Sequence, residues 1–262
     1  MNGFLQGIVH QKRSEIVSAL GLTSHRELKD RCRDLPACRD FRAALLNGPD
    51  RIIAEVKRRS PSVPAFRRQE APATLAATYE AAGAAALSLV TDRANFGTGP
   101  EDIAPMRQAT SLPLIAKDFV VDSYQLLALR VAGADAVLLI ARLLDEVQLA
   151  ELHGQASALG MSVLVECHDT QDLNRARMVG AKLVGINNRD LDTFVVSLDV
   201  SRGLLPEVPA GCAVVVESGL HGRGEIEELQ ALGASAFLVG GSLLASGDPG
   251  ALLRELRGEV VS

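Results

Sequence analysis

The stretch RIIAEVKRRSPS, residues 51–62, places a carboxylate and an ammonium two residues apart at the end of an otherwise apolar run. Glu55 and Lys57 occupy alternate positions, and alternate side chains of a β-strand point to the same face. An acid and a base on one face, beside a Ser-Pro-Ser turn, could exchange protons with a bound molecule. The alternative is a structural ion pair at the end of the strand.

Polar and charged residues end five further apolar runs in the same way. They are Lys117 and Asp118, then Arg142, then Glu166, then Asn187, Asn188, Arg189 and Asp190, and finally Glu217 and Ser218. Because burial of unpaired charge is costly, such groups meet solvent, one another or a ligand. Two lysines with several carboxylates suit acid–base chemistry, and none of the five histidines has a metal-ligand spacing, so we expect no metal.

Eight apolar runs of strand length must position these groups. They are residues 52–57, 86–91, 112–118, 136–141, 162–167, 183–188, 213–218 and 236–241. Their continuous apolar character is typical of a parallel sheet that is covered on both faces.

Helical patterns separate the runs, and a helix end, a glycine and a strand recur together, as in VAGADAVLLI at 131–140. Eight such units predict an α/β fold, a (β/α)₈ TIM barrel, with a doubly wound open sheet as the alternative. Two helical patterns, 2–20 and 24–46, precede the first strand. We therefore expect a single domain over 1–262, with a helical extension at 1–46 and a barrel at 51–262.

The segments after the last two strands are rich in small residues. ESGLHGRGEI (217–226) and VGGSLLASGDP (239–249) each precede a helical pattern. The loops after strands 7 and 8 are the usual phosphate site of this barrel, and free backbone N–H groups at helix starts bind phosphate. Gly219, Gly240 and Gly241 would let a phosphate approach the backbone, which predicts a small phosphorylated substrate.

The composition excludes several classes of function. The chain is 47% hydrophobic and 23% charged with a net charge of −5, which gives no basic face for nucleic acid. No apolar run is long enough for a membrane span, and the N-terminus lacks the apolar core of a signal peptide. The spacing of the four cysteines matches no zinc pattern, so we expect reduced thiols in a cytoplasmic protein.

Six of these motifs, taken in order, resemble the indole-3-glycerol phosphate synthase family. They are IIAEVKRRSPS, LIAKDFVVDSYQ, ADAVLLI, LVECHD, GINNRDLDTF and VVESGL, and the resemblance runs from about Leu5 to Pro249. It implies closure of an indole ring on an anthranilate that is joined through nitrogen to a deoxyribulose 5-phosphate. The carbon bearing the carboxylate attacks the sugar carbonyl, and carbon dioxide and then water leave.

The resemblance also implies roles for particular residues. Lys117 is the general acid of ring closure, with nearby cations expected to lower its pKa, and Glu166 acts in dehydration together with Glu55 and Asn187. Lys57 binds the substrate carboxylate and shares the acid role. The residues implied in substrate binding are Arg189 and Glu217, which shape the pocket; Ser60, Ser218, Gly219, Gly240 and Gly241 at the phosphate; and Phe96, Phe119, Leu138, Ile140 and Leu191 around the anthranilate.

Some positions depart from the family pattern and predict a diverged member, one that serves a specialised indole pathway. The first loop reads SPSVPAFRRQEAP with two added prolines, Arg142 stands where alanine is common, and Gly241 stands where serine is common. A cation at Arg142 could contact a changed substrate, and Gly241 would lose one hydrogen bond to phosphate.

Two other functions remain open from the residues themselves. One is another phosphate-binding barrel enzyme, either a sugar-phosphate isomerase or an aldolase-like enzyme, and the other is a barrel that binds without turnover. In each case we expect a small-molecule partner, no organic cofactor, and a monomer or weak homodimer.

Overall fold

The computed structural model describes residues 3–48 and 51–259, in which eight parallel strands form a closed barrel. The strands are β1 (Arg51–Val56), β2 (Ala86–Val90), β3 (Leu114–Lys117), β4 (Ala136–Ile140), β5 (Ser162–Cys167), β6 (Leu183–Asn187), β7 (Ala213–Glu217) and β8 (Ala236–Val239). The helices are α1 (Gly3–Leu20), α2 (His25–Arg33), α3 (Phe41–Leu46), α4 (Pro72–Ala81), α5 (Arg93–Phe96), α6 (Ile103–Ala109), α7 (Ser123–Ala132), α8 (Glu146–Ala158), α9 (Thr170–Met178), α10 (Asp199–Leu204), α11 (Arg223–Ala231), α12 (Gly241–Ala245) and α13 (Pro249–Leu256).

Closure of the sheet confirms the predicted TIM barrel and excludes the open doubly wound sheet. Each strand pairs in parallel with the next, and β8 pairs with β1 in a register that sets Arg51 opposite Ala236 and Ala54 opposite Val239. Each of the eight predicted apolar runs overlaps one strand, and β1 begins one residue before its run. Because all strands run the same way, the residues that follow them meet at one end of the barrel.

The recurring glycines end helices in the left-handed conformation, which costs glycine little. Gly133 has φ of 109°, and its N–H donates to the carbonyls of Leu129 and Arg130 at the end of α7. Aspartates begin several helices; the side chain of Asp145, for example, accepts a hydrogen bond of 2.8 Å from the N–H of Gln148 in α8. These caps fix where each strand begins and where the next helix starts.

The second predicted helix, 24–46, is wrong as one element, because α2 ends at Arg33 and α3 begins at Phe41. Pro36 lies between them; proline lacks an N–H and disfavours the helical conformation of the preceding residue. Asp40 then caps the new helix by accepting a hydrogen bond from the N–H of Ala43 at 2.8 Å. The outermost residues of the predicted boundaries, 1–2 and 260–262, lie outside the described residues.

The N-terminal helices pack on the barrel at two places. Ile16 of α1 and Leu28 of α2 form an apolar cluster with Tyr124 and Leu127 of α7. The guanidinium of Arg42, in α3, donates to the carbonyl groups of Lys182 and Gly211, just before β6 and β7. The third helix therefore covers the end of the barrel opposite to the strand exits.

All four cysteines are free thiols. Burial raises the pKa of Cys167, and the negative charges of Asp172 and Glu166 act in the same direction, so this thiol stays neutral. Within residues 3–48 and 51–259, no helix has the length and apolar character that crossing a membrane requires.

Candidate active site

A cavity of about 540 Å³ opens where the strands end. Every residue predicted from the sequence to serve catalysis or substrate binding lines it. The predicted catalytic residues on its wall are Glu55, Lys57, Lys117, Glu166 and Asn187. The predicted substrate-binding residues on its wall are Ser60, Phe96, Phe119, Leu138, Ile140, Arg189, Leu191, Glu217, Ser218, Gly219, Gly240 and Gly241. The structure thus places in one cavity residues that the sequence distributes from strand 1 to strand 8.

Glu55 and Lys57 form the ion pair that their spacing suggested. The Lys57 ammonium contacts the carboxylate of Glu55, whose residue is only 2% exposed, and lies 5.8 Å from the centre of the Phe66 ring. Burial would raise the pKa of Glu55, but Lys57 and Lys117 outweigh burial and hold it below its usual value. Glu55 is therefore a buried carboxylate in its charged form.

Lys117 lies at the centre of a second charged cluster. Its ammonium contacts the carboxylate of Glu217, at the end of β7, and lies 3.3 Å from Glu166 Oε2, in β5. Both glutamates are almost fully buried. One ammonium is therefore shared by two carboxylates from different strands.

The expectation of a lowered pKa for Lys117 was wrong. Burial does disfavour the ammonium, but the carboxylates of Glu217, Glu166 and Glu55 outweigh it, so the pKa of Lys117 is raised. The expectation assumed neighbouring cations, whereas the charged groups closest to Lys117 are carboxylates. Lys117 therefore carries a proton when the cavity holds no substrate.

The two glutamates beside Lys117 differ in basicity. Burial would raise the pKa of Glu166, but the charges of Lys117 and His168 and a hydrogen bond from Asn187 lower it. Burial raises the pKa of Glu217 to about 7, because the attraction of Lys117 is insufficient and Glu166 adds a like charge. Two carboxylates whose pKa values are pushed apart in one cavity are suited to different proton-transfer roles.

The exits of β6 and β7 are joined by hydrogen bonds. The hydroxyl of Ser218 donates to Asn187 Oδ1 at 2.9 Å, which also accepts from the N–H of Arg189 at 3.0 Å. The amide of Asn188 donates to the carbonyl of Ser218 at 3.0 Å. Ser218 has φ of 68°, a conformation that is strained for a residue with a side chain, and strain of this kind is concentrated at functional sites.

An apolar wall lies on one side of the charged groups. The rings of Phe96 and Phe119 have centroids 6.5 Å apart and planes tilted by 32°. Leu138 and Ile140, from β4, are buried and Leu191 is partly buried, and all three line the same cavity as the rings. An aromatic ring of the substrate fits such a wall.

The glycines of the last two loops differ in what a side chain would contact at each position. A Cβ on Gly240 would lie 2.5 Å from Glu55 Oε1, so this glycine makes room for the buried carboxylate. Gly219 has φ of 79°, and a Cβ on it would lie 2.8 Å from a methyl group of Val196. A Cβ on Gly241 would meet nothing within 4 Å. A substitution at Gly241 therefore tests whether phosphate needs access to the backbone at this position, because the added Cβ does not alter the surrounding packing.

Arg142 does not reach the cavity, so the expected contact with a changed substrate is wrong. Its guanidinium Nε donates to Asp172 Oδ2 at 2.9 Å, and its terminal nitrogen donates to Asp169 Oδ2 at 2.9 Å. Both aspartates belong to the start of α9, and Asp169 caps that helix. The attraction of these acids could not be deduced from β4 alone.

Several residues of the cavity wall were not predicted from the sequence. They include Val63, Phe66, Arg67, Phe194, Val196, His221 and Ser242. The first three lie in the altered loop after β1, where the N–H of Phe66 donates to the carbonyl of Arg58 at 3.1 Å. The apolar residues of VPAF were a usable signal, because an exposed loop rarely carries Val and Phe without packing them.

No group of three or more His, Cys, Asp or Glu side chains is placed to hold a metal ion in the part of the chain that the structure describes.

The chain is similar over nearly its whole length to known proteins. The family model "Indole-3-glycerol phosphate synthase" matches residues 5–256. Proteins named indole-3-glycerol phosphate synthase from Leptothrix cholodnii and Azoarcus sp. are each 42% identical over 98% of this chain, which covers 99% and 100% of their own lengths. The protein of that name from Albidiferax ferrireducens is 41% identical over 98% of both chains.

Solved structures of lower identity show the fold alone. A 3-hexulose-6-phosphate synthase superposes with a TM-score of 0.61 at 22% identity, over 80% of this chain and 100% of its own. A thiamine phosphate pyrophosphorylase from Pyrococcus furiosus gives a TM-score of 0.60 at 16% identity, over 79% of this chain and 94% of its own.

Proposed function

The chain belongs to the indole-3-glycerol phosphate synthase family, a family of carboxy-lyases in tryptophan biosynthesis, and we propose how its residues carry out that reaction. The substrate is 1-(2-carboxyphenylamino)-1-deoxyribulose 5-phosphate. Ring closure, loss of carbon dioxide and loss of water convert it to indole-3-glycerol phosphate.

One observation carries the assignment of roles. Lys117 is shared between Glu217 and Glu166 beside an apolar wall, within the cavity that also contains the glycines of the last two loops. An acid, two carboxylates of unequal pKa, a slot for an aromatic ring and a backbone site for phosphate are what the reaction needs.

Lys117 is the general acid of ring closure. As the ring carbon bonds to the sugar carbonyl, negative charge develops on the carbonyl oxygen, and an adjacent ammonium can protonate it. The raised pKa means that Lys117 enters the reaction protonated. The same raised pKa makes it a reluctant donor, so substrate must loosen its contact with Glu217 or Glu166 before the proton is transferred.

Glu166 is the base of dehydration. Its lowered pKa keeps it ionised and ready to accept the proton that the ring intermediate loses, while Lys57, the second acid of the cavity, protonates the hydroxyl group so that it leaves as water. Asn187 lies beside Glu166, and Glu55 pairs with Lys57 in the same cavity. Lys57 binds the substrate carboxylate and is the second candidate for the acid role.

The other residues of the cavity wall orient the phosphate end and the anthranilate end of the substrate. We assign the phosphate to the backbone N–H groups near Gly219, Gly240 and Gly241, with Ser60 and Ser218 nearby, because oriented amides bind anions without a dedicated arginine. The anthranilate ring lies against Phe96, Phe119, Leu138, Ile140 and Leu191. Arg189 and Glu217 shape the space between the two ends.

An activity assay tests these roles. The purified protein is incubated with the substrate and indole fluorescence is followed. We expect turnover by the native chain and a loss of about 10²- to 10⁴-fold in kcat for Lys117→Ala and for Glu166→Gln, the usual contribution of an acid or base. Lys182→Ala and Glu151→Gln, which change exposed residues elsewhere, are matched controls and should retain full activity. Near-normal kcat in either active-site variant would remove the role assigned to that residue.

The wider setting is also a proposal. We infer a cytoplasmic enzyme with a small-molecule partner and no nucleic acid or membrane partner, a monomer or weak homodimer, on the composition of the chain. The altered first loop supports the idea of a specialised indole pathway, which a preference for ring-substituted anthranilates in the same assay would reveal.

A further inference from the structure

A buried histidine stands directly behind the carboxylate of Glu166. The side chain of His168 is 4% exposed, and its Nε2 lies 3.3 Å from Glu166 Oε1, whereas Lys117 lies 3.3 Å from Oε2. Neither ring nitrogen has a hydrogen-bond partner of good geometry within the described ranges, and Glu166 Oε1 has none. His168 Nε2 and Glu166 Oε1 therefore lie close together, and neither atom has another hydrogen-bond partner among the described residues.

Asp172 and Arg142 hold the other side of the ring. Asp172 Oδ2 lies 3.7 Å from His168 Nδ1, and it accepts the backbone N–H of His168 at 3.1 Å and the Arg142 guanidinium at 2.9 Å. Asp172 is itself fixed, because its N–H donates to Asp169 Oδ1 at 2.8 Å. Basic and acidic side chains therefore alternate in a row that runs from Arg142 through Asp172 and His168 to Glu166.

Few other charged groups face this row. Glu166 also faces Lys117 from β3, Glu217 from β7 and Glu55 from β1. His168 faces Asp172 from α9, and the adjacent Cys167 is a neutral buried thiol. His168 Nε2 thus lies at Glu166 Oε1, whereas Lys117 lies at Oε2, the other oxygen of the same carboxylate.

We propose that His168 is a positioning residue: it donates from Nε2 to Glu166, holds that carboxylate in its ionised form and aims its other oxygen at the cavity, while Asp172 and Arg142 hold the ring. The inference rests on the proposed role of Glu166 as the base. A hydrogen-bond donor beside a buried carboxylate stabilises the negative charge of that carboxylate. In a catalytic triad the roles are reversed, because a fixed carboxylate stabilises the positive charge of the histidine. It also gives Arg142 a function that does not involve substrate.

The pH profile of kcat distinguishes positioning from packing. Replacing His168 by phenylalanine keeps a ring of similar shape but removes the donor, so the pKa of Glu166 should rise. Glu166 would then be protonated over a wider range, and the acid limb of the profile should move up by about one pH unit or more. The value of kcat should fall about tenfold, while KM stays within a factor of two.

Conservative and control variants accompany this measurement. His168→Gln keeps an amide N–H near the position of Nε2 and should restore most of the limb position. Arg142→Ala frees Asp172 from its anchor and should move the limb in the same direction by less. His153→Phe and Arg202→Ala remove a half-buried histidine in α8 and an exposed paired arginine in α10, and should leave the profile unchanged.

Two outcomes would overturn the inference. If His168→Phe folds and its acid limb coincides with that of the native enzyme, His168 serves packing only. If His168→Phe does not fold, an acid limb of Arg142→Ala that coincides with that of the native enzyme has the same meaning. Normal turnover by Glu166→Gln would instead refute the proposed base, so the two failures are distinguishable.

Discussion

At the scale of single residues, the site is governed by three buried glutamates that share two lysines. Glu55 is paired with Lys57, while Glu166 and Glu217 compete for Lys117. One ammonium cannot fully compensate two buried carboxylates, so this arrangement lowers the stability of the folded state. Glu217, with its pKa of about 7, is where that cost is concentrated.

Glu217→Gln should make the protein more stable at pH 8 and less active. In the folded state the pKa of Glu217 is about 7 against a reference of 4.5. The folded chain therefore keeps a proton that the unfolded chain has released, and stability falls as pH rises from about 4.5 through 7. That difference corresponds to about 3 kcal/mol above pH 7, which glutamine removes.

Urea unfolding of both proteins at pH 8 and pH 4.5 measures this. The stabilisation should be present at pH 8 and should shrink at pH 4.5, where Glu217 is protonated in the folded state and already about half-protonated in the unfolded state. A variant that is less stable at pH 8 would contradict the raised pKa.

Gly241→Ser should lower KM for the phosphorylated substrate several-fold. A Cβ at Gly241 meets nothing within 4 Å, so the added hydroxyl fits and can donate to the phosphate, a charge-assisted hydrogen bond. Gly241→Val, which adds bulk without a donor, should raise KM. Inorganic phosphate should compete with substrate, and its inhibition constant should follow the same order.

The matched control is Gly240→Ser, where the Cβ would lie 2.5 Å from Glu55 Oε1. That variant should lose kcat because Glu55 is displaced. An unchanged KM in both Gly241 variants would mean that the phosphate binds elsewhere, for instance at Arg67, which also lines the cavity.

At the scale of elements, the first helix is tied to the barrel beside the catalytic lysine. Lys12 of α1 is 3% exposed, and its ammonium lies 2.8 Å from Asp118 Oδ1, the residue after Lys117. Asp118 is also fixed by the Thr91 hydroxyl at 2.9 Å and by the N–H of Phe119 at 2.8 Å. The sequence placed Asp118 at the end of the third apolar run, but its partner in α1 could not be deduced because the two are distant in the chain.

Lys12→Met should destabilise the protein by about 3 kcal/mol or more, since it leaves the buried carboxylate of Asp118 without its cation. Urea unfolding of Lys29→Met, an exposed lysine in α2, gives the control, for which we expect a change below about 0.5 kcal/mol. Lys12→Met combined with Asp118→Asn should recover part of the loss. Equal stability of Lys12→Met and the control would mean that α1 is held by its apolar contacts alone.

The elements that the sequence predicted best are those with a strong local pattern. The eight apolar runs, and the glycines that precede most of them, follow from burial and helix termination, and each run overlaps one strand. The split between α2 and α3 was missed although Pro36 marked it. Its apolar pattern continued across the break, so periodicity outweighed the proline in the prediction.

At the scale of the whole molecule, closure of the barrel brings polar residues that are far apart in the sequence together in one site. Strand order and direction were sufficient to predict that Glu55, Lys117, Glu166 and Glu217 would meet. Which of them pair, and in which protonation state, depends on distances across the barrel mouth, and for that reason the pKa of Lys117 was mispredicted. The direction of Arg142 was missed for the same reason. The apolar cluster that joins Leu5 and Phe41 to the strands also supports our proposal of one domain.

Dialysis against EDTA should leave the activity intact. Lysines occupy the positions where a divalent cation would otherwise neutralise the glutamates, and ring closure needs proton transfer for which Lys117 suffices. Activity is compared before and after dialysis and after Mg²⁺ or Zn²⁺ is added back. Loss on dialysis with recovery on addition would contradict acid–base catalysis by side chains alone.

The most direct test of the division of labour between Lys117 and Glu166 follows carbon dioxide and indole formation together in a single turnover. Lys117→Ala should release neither product at a useful rate, because ring closure precedes decarboxylation. Glu166→Gln should release carbon dioxide faster than it forms the indole, because only dehydration lacks its base. Release of carbon dioxide by Lys117→Ala at the native rate, or strictly simultaneous formation of both products by Glu166→Gln, would contradict the account.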